Sequence, residues 1–363
     1  MESKLWIDNR DADALSRETF DTMNPATGAK LATVPRARRE DVDVAVRSAA
    51  RAFPAWARLD PNERARILWK AGELVMSKLE ELARLEALDT GKPIANARLI
   101  DVPRTADTFF YFSGWATKLG GETIPVRGPF LNYTIREPLG VIGAIVPWNF
   151  PLLLGARKIA AALAVGNTVV IKPPEEASLT IIALAKILTE AGVPEGVVNV
   201  VTGYGEEAGA ALVEHPGVAK ISFTGGTETG KLIMRSAATT LKRVSLELGG
   251  KSPNIVFADA DVAAAGAAAV TAAFYNQGEL CTAGSRLLVD RTVHDQVLEI
   301  VAAGARALLP GDPLDPNTRM GPLISAEHRD KVVGYVQAGE SEGAKRVAGE
   351  PRSREDGGYF VDP

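Results

Sequence analysis

Between residues 141 and 238 the chain alternates short apolar runs with longer runs of helical length. The short runs predict β-strands at 141–146, 168–171, 197–201 and 220–223. The longer runs predict helices at 152–164, 179–191, 206–213 and 227–238. Because strands that alternate with helices form βαβ units, this pattern predicts an α/β fold on a parallel, doubly wound sheet. Ligands bind such sheets beyond the carboxyl ends of the strands, where we expect the functional residues.

Further elements flank this region. A helix is predicted over 41–56, and the sequence DPNE at 60–63 predicts the start of another that ends at Gly91. Paired glycines and short β-rich runs predict an extended hairpin over 119–137. A second α/β stretch is predicted with strands at 254–257 and 286–290, a helix at 262–273, turns at 351–358 and an entering strand at 358–363.

Composition excludes several classes of protein. The 363 residues suffice for roughly two to three domains, and 46% hydrophobic with 24% charged residues is typical of a globular protein. A net charge of −4 gives no basic face for nucleic acid, and no apolar run is long enough to span a membrane. The single cysteine allows no internal disulfide, which favours a cytoplasmic location, and with three histidines it predicts no metal site.

Two glycine motifs compete as phosphate sites. The sequence GYGEEA at 203–208 resembles a dinucleotide-binding turn, but the expected acid further along is absent and a tight turn is favoured. The run 223–232 contains most of a P-loop, yet Leu232 replaces the hydroxyl residue that would bind Mg²⁺. A P-loop nucleotide hydrolase is therefore disfavoured. A phosphate-binding helix N-terminus after Gly226 is expected, and a turn with a solvated Lys231 is the alternative.

Cys281 and Glu247 are the candidate nucleophile and base. A lone cysteine is more often a small buried residue, but Cys281 lies in a polar loop bracketed by Gly278 and Gly284, which favours a reactive thiolate. Glu247 stands between two leucines, where burial would raise the pKa of its carboxyl toward the range of a general base. The alternative for Glu247 is a surface position on an amphipathic strand.

Polar groups also follow two of the predicted strands. Asn149 is held between prolines in PWNFP at 147–151 and is a candidate donor to an oxyanion, although such a sequence is also common in ordinary loops. Lys172 is suited to bind ribose hydroxyls or phosphate. Glu175 is suited to accept hydrogen bonds from ribose hydroxyls, and its carboxylate would repel a 2′-phosphate.

Together these segments resemble the aldehyde dehydrogenase superfamily, in the family's order and spacing over essentially the whole chain. The motifs are PWNFP (147–151), KPPE (172–175), FTGGTETG (223–230), LELGGK (246–251) and NQGELC (276–281). The closest resemblance is to the hydrolytic, betaine-aldehyde and general aldehyde type. It implies a Rossmann-like parallel-sheet coenzyme domain, an α/β catalytic domain and a β-hairpin oligomerisation element.

The resemblance also implies how the chain is divided. The NAD-binding domain would comprise 1–118 and 139–250, and the catalytic domain 251–363. The hairpin at 119–138 would join copies into a homodimer or homotetramer. Because relatives continue for about a further quarter of their length, the chain is expected to be a fragment with an incomplete catalytic domain. A catalytically impaired fragment or a non-enzymatic scaffold of the same fold is the alternative.

The implied reaction is the NAD-dependent oxidation of a small-molecule aldehyde to the acid. Cys281 would attack the aldehyde to give a thiohemiacetal, whose oxyanion is held by the Asn149 amide and the Cys281 backbone N–H. Hydride would pass to the nicotinamide and leave a thioester. Glu247 would activate the water that hydrolyses it, and its presence indicates water rather than coenzyme A as the acyl acceptor.

NAD is the implied cofactor, and NADP is less expected because of the acidic Glu175. The implied cofactor-binding residues are Ile145, Pro147, Trp148, Lys172, Glu175, Gly205, Gly225, Gly226, Thr227, Gly230 and Leu248. Three positions depart from the family pattern. Gly226 replaces a common serine, Tyr275 replaces a frequent phenylalanine, and Arg157 stands where many relatives carry tryptophan, which adds charge near the substrate tunnel.

Overall fold

The computed structural model of the protein describes residues 2–349 and 357–363. Its strands in this part of the chain are β1 Leu5–Ile7, β2 Arg10–Ala12, β3 Thr19–Met23, β4 Lys30–Pro35, β5 Thr123–Ile124, β6 Asn132–Tyr133, β7 Val141–Ile145, β8 Thr168–Lys172, β9 Val198–Val200, β10 Val218–Gly225, β11 Arg243–Leu248, β12 Pro253–Val256 and β13 Arg286–Val289. Its α-helices are α1 Arg39–Arg58, α2 Pro61–Ser77, α3 Leu79–Thr90, α4 Ile94–Asn96, α5 Val102–Ser113, α6 Pro151–Ala164, α7 Leu179–Ala191, α8 Ala210–Glu214, α9 Thr227–Ala238, α10 Val262–Phe274, α11 His294–Ala307 and α12 Ala326–Ser341.

A seven-stranded sheet in the order β11-β10-β7-β8-β9-β1-β2 forms the centre of the fold. Its first five strands run parallel, and β1 and β2 add an antiparallel edge. The parallel sheet predicted from the alternating pattern is confirmed. β12 and β13 pair in parallel and form a separate two-stranded sheet. In the chain α10 lies between these two strands.

Helices cover both faces of the large sheet. Val141 and Ile145 of β7 face a core formed with α1, α8 and α9. Ile142 and Ala144 of the same strand face a core formed with α2, α5, α6 and α7. Because successive strand residues point to opposite faces, a sheet covered on both sides needs an unbroken apolar run, which is what the sequence shows at 141–146.

Three local predictions need correction. The helix predicted from residue 61 to Gly91 is two helices, α2 and α3, separated at Lys78. The helix predicted at 206–213 begins with the π-helical turn Gly205–Gly209 and continues as α8. Residues 358–363 form no strand; instead Tyr359 N–H donates to Pro25 O, and Tyr359 O accepts from the Leu323 N–H. Residues 351–356 of the predicted turn-rich segment lie outside the described part.

The predicted hairpin over 119–137 is present as the antiparallel pair β5 and β6. It is exposed throughout, and Phe130 and Leu131 at its tip are each 75% exposed. A packed core therefore does not hold this element in place.

A close backbone approach fixes the segment that leads to α12. Gly321 is buried, and a Cβ there would collide with the carbonyl oxygen of Gly91, a backbone atom that cannot swing away like a side chain. We expect Gly321→Ala to lower the free energy of unfolding by about 1–3 kcal/mol. Gly334→Ala is the control, because nothing lies within 4 Å of a Cβ at this exposed position in α12.

Chemical denaturation measures both variants against the unsubstituted protein. The control should be unchanged or up to about 1 kcal/mol more stable, since alanine favours a helix over glycine. Equal stability of the two variants would contradict the close approach at Gly321.

Candidate active site

The carboxyl ends of four parallel strands lie level at one edge of the large sheet. The register pairs Ile145 of β7 with Lys172 of β8 and with Phe223 of β10. It also pairs Gly225 of β10 with Leu248 of β11. The motifs that follow these strands therefore lie at one edge, as the rule for ligand sites in parallel sheets requires.

Cys281 lies on an exposed loop between the 3₁₀ turn Tyr275–Gly278 and β13. Asn276, Gln277 and Gly278 have positive φ angles of 52°, 58° and 77°. This left-handed conformation costs about 1–2 kcal/mol for each residue other than glycine, so surrounding contacts must hold the loop in place. Within the described residues the backbone N–H of Cys281 makes no hydrogen bond, which leaves it free to bind a ligand.

Asn149 makes one of these contacts. Its side-chain amide donates a 2.8 Å hydrogen bond to the backbone oxygen of Glu279, two residues before Cys281. The buried Asn276 side chain donates to the same oxygen at 3.3 Å. Because an amide nitrogen carries two hydrogens, Asn149 keeps one for a second acceptor. The Asn149 amide, which follows β7, is thus bound to the loop that carries the second predicted oxyanion donor, the Cys281 N–H.

Glu279 is a buried acid that the sequence analysis did not single out. Its carboxylate accepts a 2.9 Å hydrogen bond from the Ile324 N–H, but burial outweighs this and raises the pKa of Glu279 to about 8. His328 Nε2 lies 3.7 Å from Glu279 Oε1, and burial lowers the pKa of this imidazole. Both groups are therefore mainly uncharged at pH 7, and their contact is not an ion pair.

The His328 ring also packs against the Trp148 ring, with their centroids 5.0 Å apart. Trp148 is one of the predicted cofactor residues. The segment around the start of α12 therefore supports both the cysteine loop, through Glu279, and the loop after β7.

Glu247 is exposed, so the predicted burial is wrong. β11 is an edge strand with alternating exposed and half-buried residues; Leu246 and Leu248 pack against the core, while Glu247 faces outward. The alternative reading, an amphipathic surface strand, is the correct one. The strand nevertheless leads to the cysteine loop, because a Cβ on Gly250 would lie 3.3 Å from the Cys281 backbone oxygen.

Lys158 is a cation at this site that the sequence analysis missed. Its Nζ donates a 3.0 Å hydrogen bond to Ser222 Oγ in β10. Burial lowers the pKa of Lys158 to about 8, against the opposing effect of the negative charge on Glu247. A lysine in a helix that is otherwise mostly apolar was the sequence signal that would have identified it.

Lys172 and Glu175 form an ion pair at the end of β8. Lys172 is only 3% exposed, while Glu175 is partly exposed. The pair presents a donor and an acceptor at the sheet edge, the combination that ribose hydroxyls require. The neighbouring Glu176 has its pKa raised to about 7 by burial and by the negative charge of Glu175.

The N-terminus of α9 has no side-chain cap, because its N-cap residue is Gly226. The N–H groups of the first turn, beginning at Thr227, therefore remain available to an anion. A Cβ at Gly226 would meet nothing closer than 4.0 Å, whereas one at Gly225 would collide with the Phe223 ring. Open backbone at a helix N-terminus fits the pyrophosphate of a dinucleotide.

Gly230 and Leu248 approach each other closely. A Cβ on Gly230 would lie 2.8 Å from Leu248 Cδ2, so this glycine lets α9 pack against β11. The packing gives a structural reason for glycine at this position. The contact of Gly230 with the cofactor stays a prediction.

The turn at 203–209 is tight. Gly203 has a φ of 144°, and a Cβ there would lie 2.8 Å from the Ala37 backbone oxygen, in keeping with the favoured turn interpretation. Gly205 faces open space. Arg36 pairs with Glu207 through two hydrogen bonds of 2.8 and 2.6 Å, which offsets one of the two adjacent acidic charges.

The P-loop-like segment offers no cation to a phosphate. Lys231 forms a 2.7 Å ion pair with Glu228, and both side chains are more than half exposed. This is the solvated lysine of the alternative interpretation. Among the described residues no group of three or more His, Cys, Asp or Glu side chains is placed to hold a metal ion. None of the helices in the described part is both long enough and apolar enough to cross a membrane.

The raised pKa of Glu279 predicts a pH-dependent difference in stability. Its folded-state value of about 8 exceeds the ordinary value of 4.5, so the folded protein binds more protons and loses stability as pH rises between these values. Glu279→Gln lacks this proton but keeps an oxygen for the Ile324 N–H. We expect the free energy of unfolding of Glu279→Gln, relative to that of the unsubstituted protein, to rise from pH 5 to pH 8. The rise should be at most about 1.4 kcal/mol per pH unit.

Thermal unfolding of both proteins across this pH range measures the difference. Other buried acids such as Asp89 titrate in both proteins and cancel in the comparison. A difference that does not change with pH would contradict a protonated Glu279.

Comparison with known proteins places the chain among aldehyde dehydrogenases. Residues 12–363 match the model of the aldehyde dehydrogenase family. DhaS of Bacillus subtilis (strain 168) is 46% identical over 362 residues, which cover 99% of this chain and 73% of DhaS. The chain thus spans about three quarters of the length of this relative.

Solved structures agree. PnpE from Pseudomonas sp. WBC-3 in complex with nicotinamide adenine dinucleotide is 48% identical with a TM-score of 0.98, covering 100% of this chain and 75% of PnpE. The NAD⁺ complex of aldehyde dehydrogenase from Bacillus cereus is 45% identical with a TM-score of 0.98, covering 100% and 74%. The fold is therefore that of these dehydrogenases.

Proposed function

The chain belongs to the aldehyde dehydrogenase family, and from that premise we propose that it oxidises its aldehyde by covalent catalysis at Cys281. The activity is NAD-dependent aldehyde oxidation, and the substrate is a small-molecule aldehyde. One observation carries the proposal: the Asn149 amide binds the backbone two residues before Cys281. This contact supports a prepared oxyanion site beside the only cysteine in the chain.

In the proposed first step, the Cys281 thiolate attacks the aldehyde carbon and a C–S bond forms. The carbonyl oxygen becomes an oxyanion, stabilised by the remaining Asn149 amide hydrogen and the unpaired Cys281 N–H. Fixed donors aimed at a developing negative charge lower the barrier because they need no reorganisation. When NAD is bound it accepts the hydride from this carbon, and the C=O bond re-forms as a thioester.

In the proposed second step, Glu247 takes a proton from water, which attacks the thioester. The C–S bond breaks, the Cys281 thiolate leaves, and the carboxylic acid is released. The exposed position of Glu247 gives water access to its carboxylate. Hydrolysis by water, rather than transfer to coenzyme A, follows from the presence of this base.

The residues at the sheet edge fit NAD. The uncapped start of α9 at Gly226 and Thr227 would hold the pyrophosphate, the open backbone at Gly226 would allow its close approach, and the preceding Gly225 is a further proposed contact. Lys172 and Glu175 would bind the adenosine ribose. The remaining proposed contacts to the dinucleotide are Ile145, Pro147, Trp148, Gly205, Gly230 and Leu248.

The arrangement of the molecule into functional parts is also proposed. The strands of the large sheet fall within 5–248, which supports NAD binding by 1–118 and 139–250 and catalysis by 251–363. The exposed apolar tip of the 119–138 hairpin supports pairing of copies as a homodimer or homotetramer. The cytoplasmic location stays a prediction.

Two substitutions separate the proposed steps. We expect Cys281→Ala to lower NADH formation by a factor of about 1,000 or more, because no other thiol can replace the nucleophile. We expect Glu247→Gln to slow the steady state while it retains an initial burst of about one NADH per site. Stopped-flow absorbance measures both phases.

Glu81→Gln is the control, since it removes an exposed carboxylate on α3, outside the residues proposed for catalysis, cofactor binding and pairing. Loss of the burst together with turnover in Glu247→Gln would contradict the deacylation role. Turnover by Cys281→Ala would contradict covalent catalysis. NAD binding without any oxidation by the unsubstituted protein would favour a scaffold.

Cofactor choice tests the role of Glu175. Its carboxylate repels the 2′-phosphate of NADP, so we expect Glu175→Gln to raise kcat/KM with NADP relative to that with NAD by about tenfold. Initial rates with the two cofactors measure the ratio. Glu214→Gln, which lies on α8 away from the end of β8, is the control. An unchanged ratio in Glu175→Gln would remove this residue from the ribose site.

A further inference from the structure

A cavity of about 420 Å³ lies between α5 and α6, outside the groups used so far. Four of its lining residues lie on one face of α5: Arg104, Asp107, Thr108 and Tyr111. Phe112 of the same helix and Arg157 of α6 complete the lining. The volume is in the range of small-molecule sites.

The cavity holds two cations without partners. Within residues 2–349 and 357–363 neither the Arg104 nor the Arg157 guanidinium forms a hydrogen bond or ion pair. Asp107 is the only carboxylate in the lining, so the cavity has a net charge of +1. Its charge and its forked donors match a carboxylate.

The cavity lies beside α6, the helix that follows the Asn149 loop. Arg157 lies on α6, which begins two residues after Asn149, and the adjacent Lys158 reaches toward the sheet and Glu247. Neighbouring residues on a helix diverge by about 100°, so Arg157 points into the cavity instead. Tyr275, six residues before Cys281, has a buried hydroxyl; burial raises its pKa to about 12, and the positive charge of Arg104 opposes this rise.

We propose that the substrate is an aldehyde with a carboxylate at its far end, and that Arg104 and Arg157 bind this carboxylate while the aldehyde carbon meets Cys281. The inference rests on the proposed function and names the substrate class of the same site. Tyr111 adds a hydroxyl donor to the carboxylate site, and Phe112 contacts the carbon chain, whereas the Thr108 hydroxyl already donates to the Arg104 backbone oxygen. A doubly charged phosphate fits less well, because Asp107 opposes the second negative charge.

The test compares acidic and neutral aldehydes of matched shape. The pairs are succinate semialdehyde with butanal, and 4-carboxybenzaldehyde with 4-methylbenzaldehyde. We expect kcat/KM to be at least tenfold higher for the acidic member of at least one pair. Arg157→Gln and Arg104→Gln should each lower kcat/KM for that acidic member by about 10- to 100-fold, mainly through KM.

The same variants should change kcat/KM for the neutral member by less than about twofold. A general structural defect would instead lower kcat/KM for both members of the pair. Arg157→Lys, which keeps the charge, should recover part of the loss. Arg17→Gln is the control for net charge, because this arginine lines no part of the cavity. Equal loss for both members of the preferred pair, or equal kcat/KM for acidic and neutral members in both pairs in the unsubstituted protein, would overturn the inference.

Two further outcomes are distinguishable. A larger effect of Arg157→Gln on glyceraldehyde 3-phosphate than on the acidic aldehydes would overturn the carboxylate assignment. If the unsubstituted protein binds NAD yet oxidises none of the aldehydes, the proposed function fails and the inference with it. If neutral aldehydes are oxidised without a preference for acidic ones, only the inference fails.

Discussion

The hydrogen bond from the Asn149 amide to the Glu279 backbone oxygen joins the two halves of the site. Asn149 follows a central strand of the large sheet, whereas Glu279 belongs to the loop that carries Cys281. The bond requires the chain to turn through the left-handed Asn276 and Gln277, a conformation that isolated residues avoid. The sheet therefore supplies the rigid reference against which the cysteine is placed, and the loop's strain is borne by contacts around it.

A buried charge network supports the same loops from the helical layer. Lys92 is 1% exposed, binds the fully buried Asp101, and lies 4.1 Å from the centre of the Phe150 ring, next to Asn149. Glu86 lies 3.5 Å from the same ammonium, and burial raises its pKa to about 7. Burying charges costs free energy, so stabilisation of the fold does not explain why these charged residues are buried here. The network instead fixes the position of the loop after β7, because Lys92 packs against the Phe150 ring.

Periodicity in the sequence was sufficient to predict the sheet and the positions of its loops. Apolar runs at 141–146 and 168–171 are read as strands because both faces are covered, and the motifs then fall at the carboxyl ends. Burial of single side chains was harder: Glu247 is flanked by leucines, yet it lies on an edge strand and faces outward. Flanking residues identify a strand, but they do not show which face of that strand other elements of the fold cover.

Groups that meet only in three dimensions were missed for a related reason. Glu279 is acidic in sequence but mainly protonated in the fold because it is buried, and part of what surrounds it, Ile324 and His328, comes from a segment more than forty residues away. Burial lowers the pKa of Lys158, and the groups it meets there, Ser222 in β10 and Glu247 in β11, follow it by sixty residues or more. Such shifts come from desolvation and distant charges, which local patterns do not encode.

Covalent catalysis by this protein requires an acyl group bound to Cys281. The direct measurement is peptide mass spectrometry of Glu247→Gln, quenched in acid after mixing with aldehyde and NAD, where slow hydrolysis should let the thioester accumulate. We predict an added acyl mass on the peptide that contains Cys281, formed only when NAD is present. An unmodified cysteine during NADH formation, or an acyl group on any other residue, would contradict covalent catalysis at Cys281.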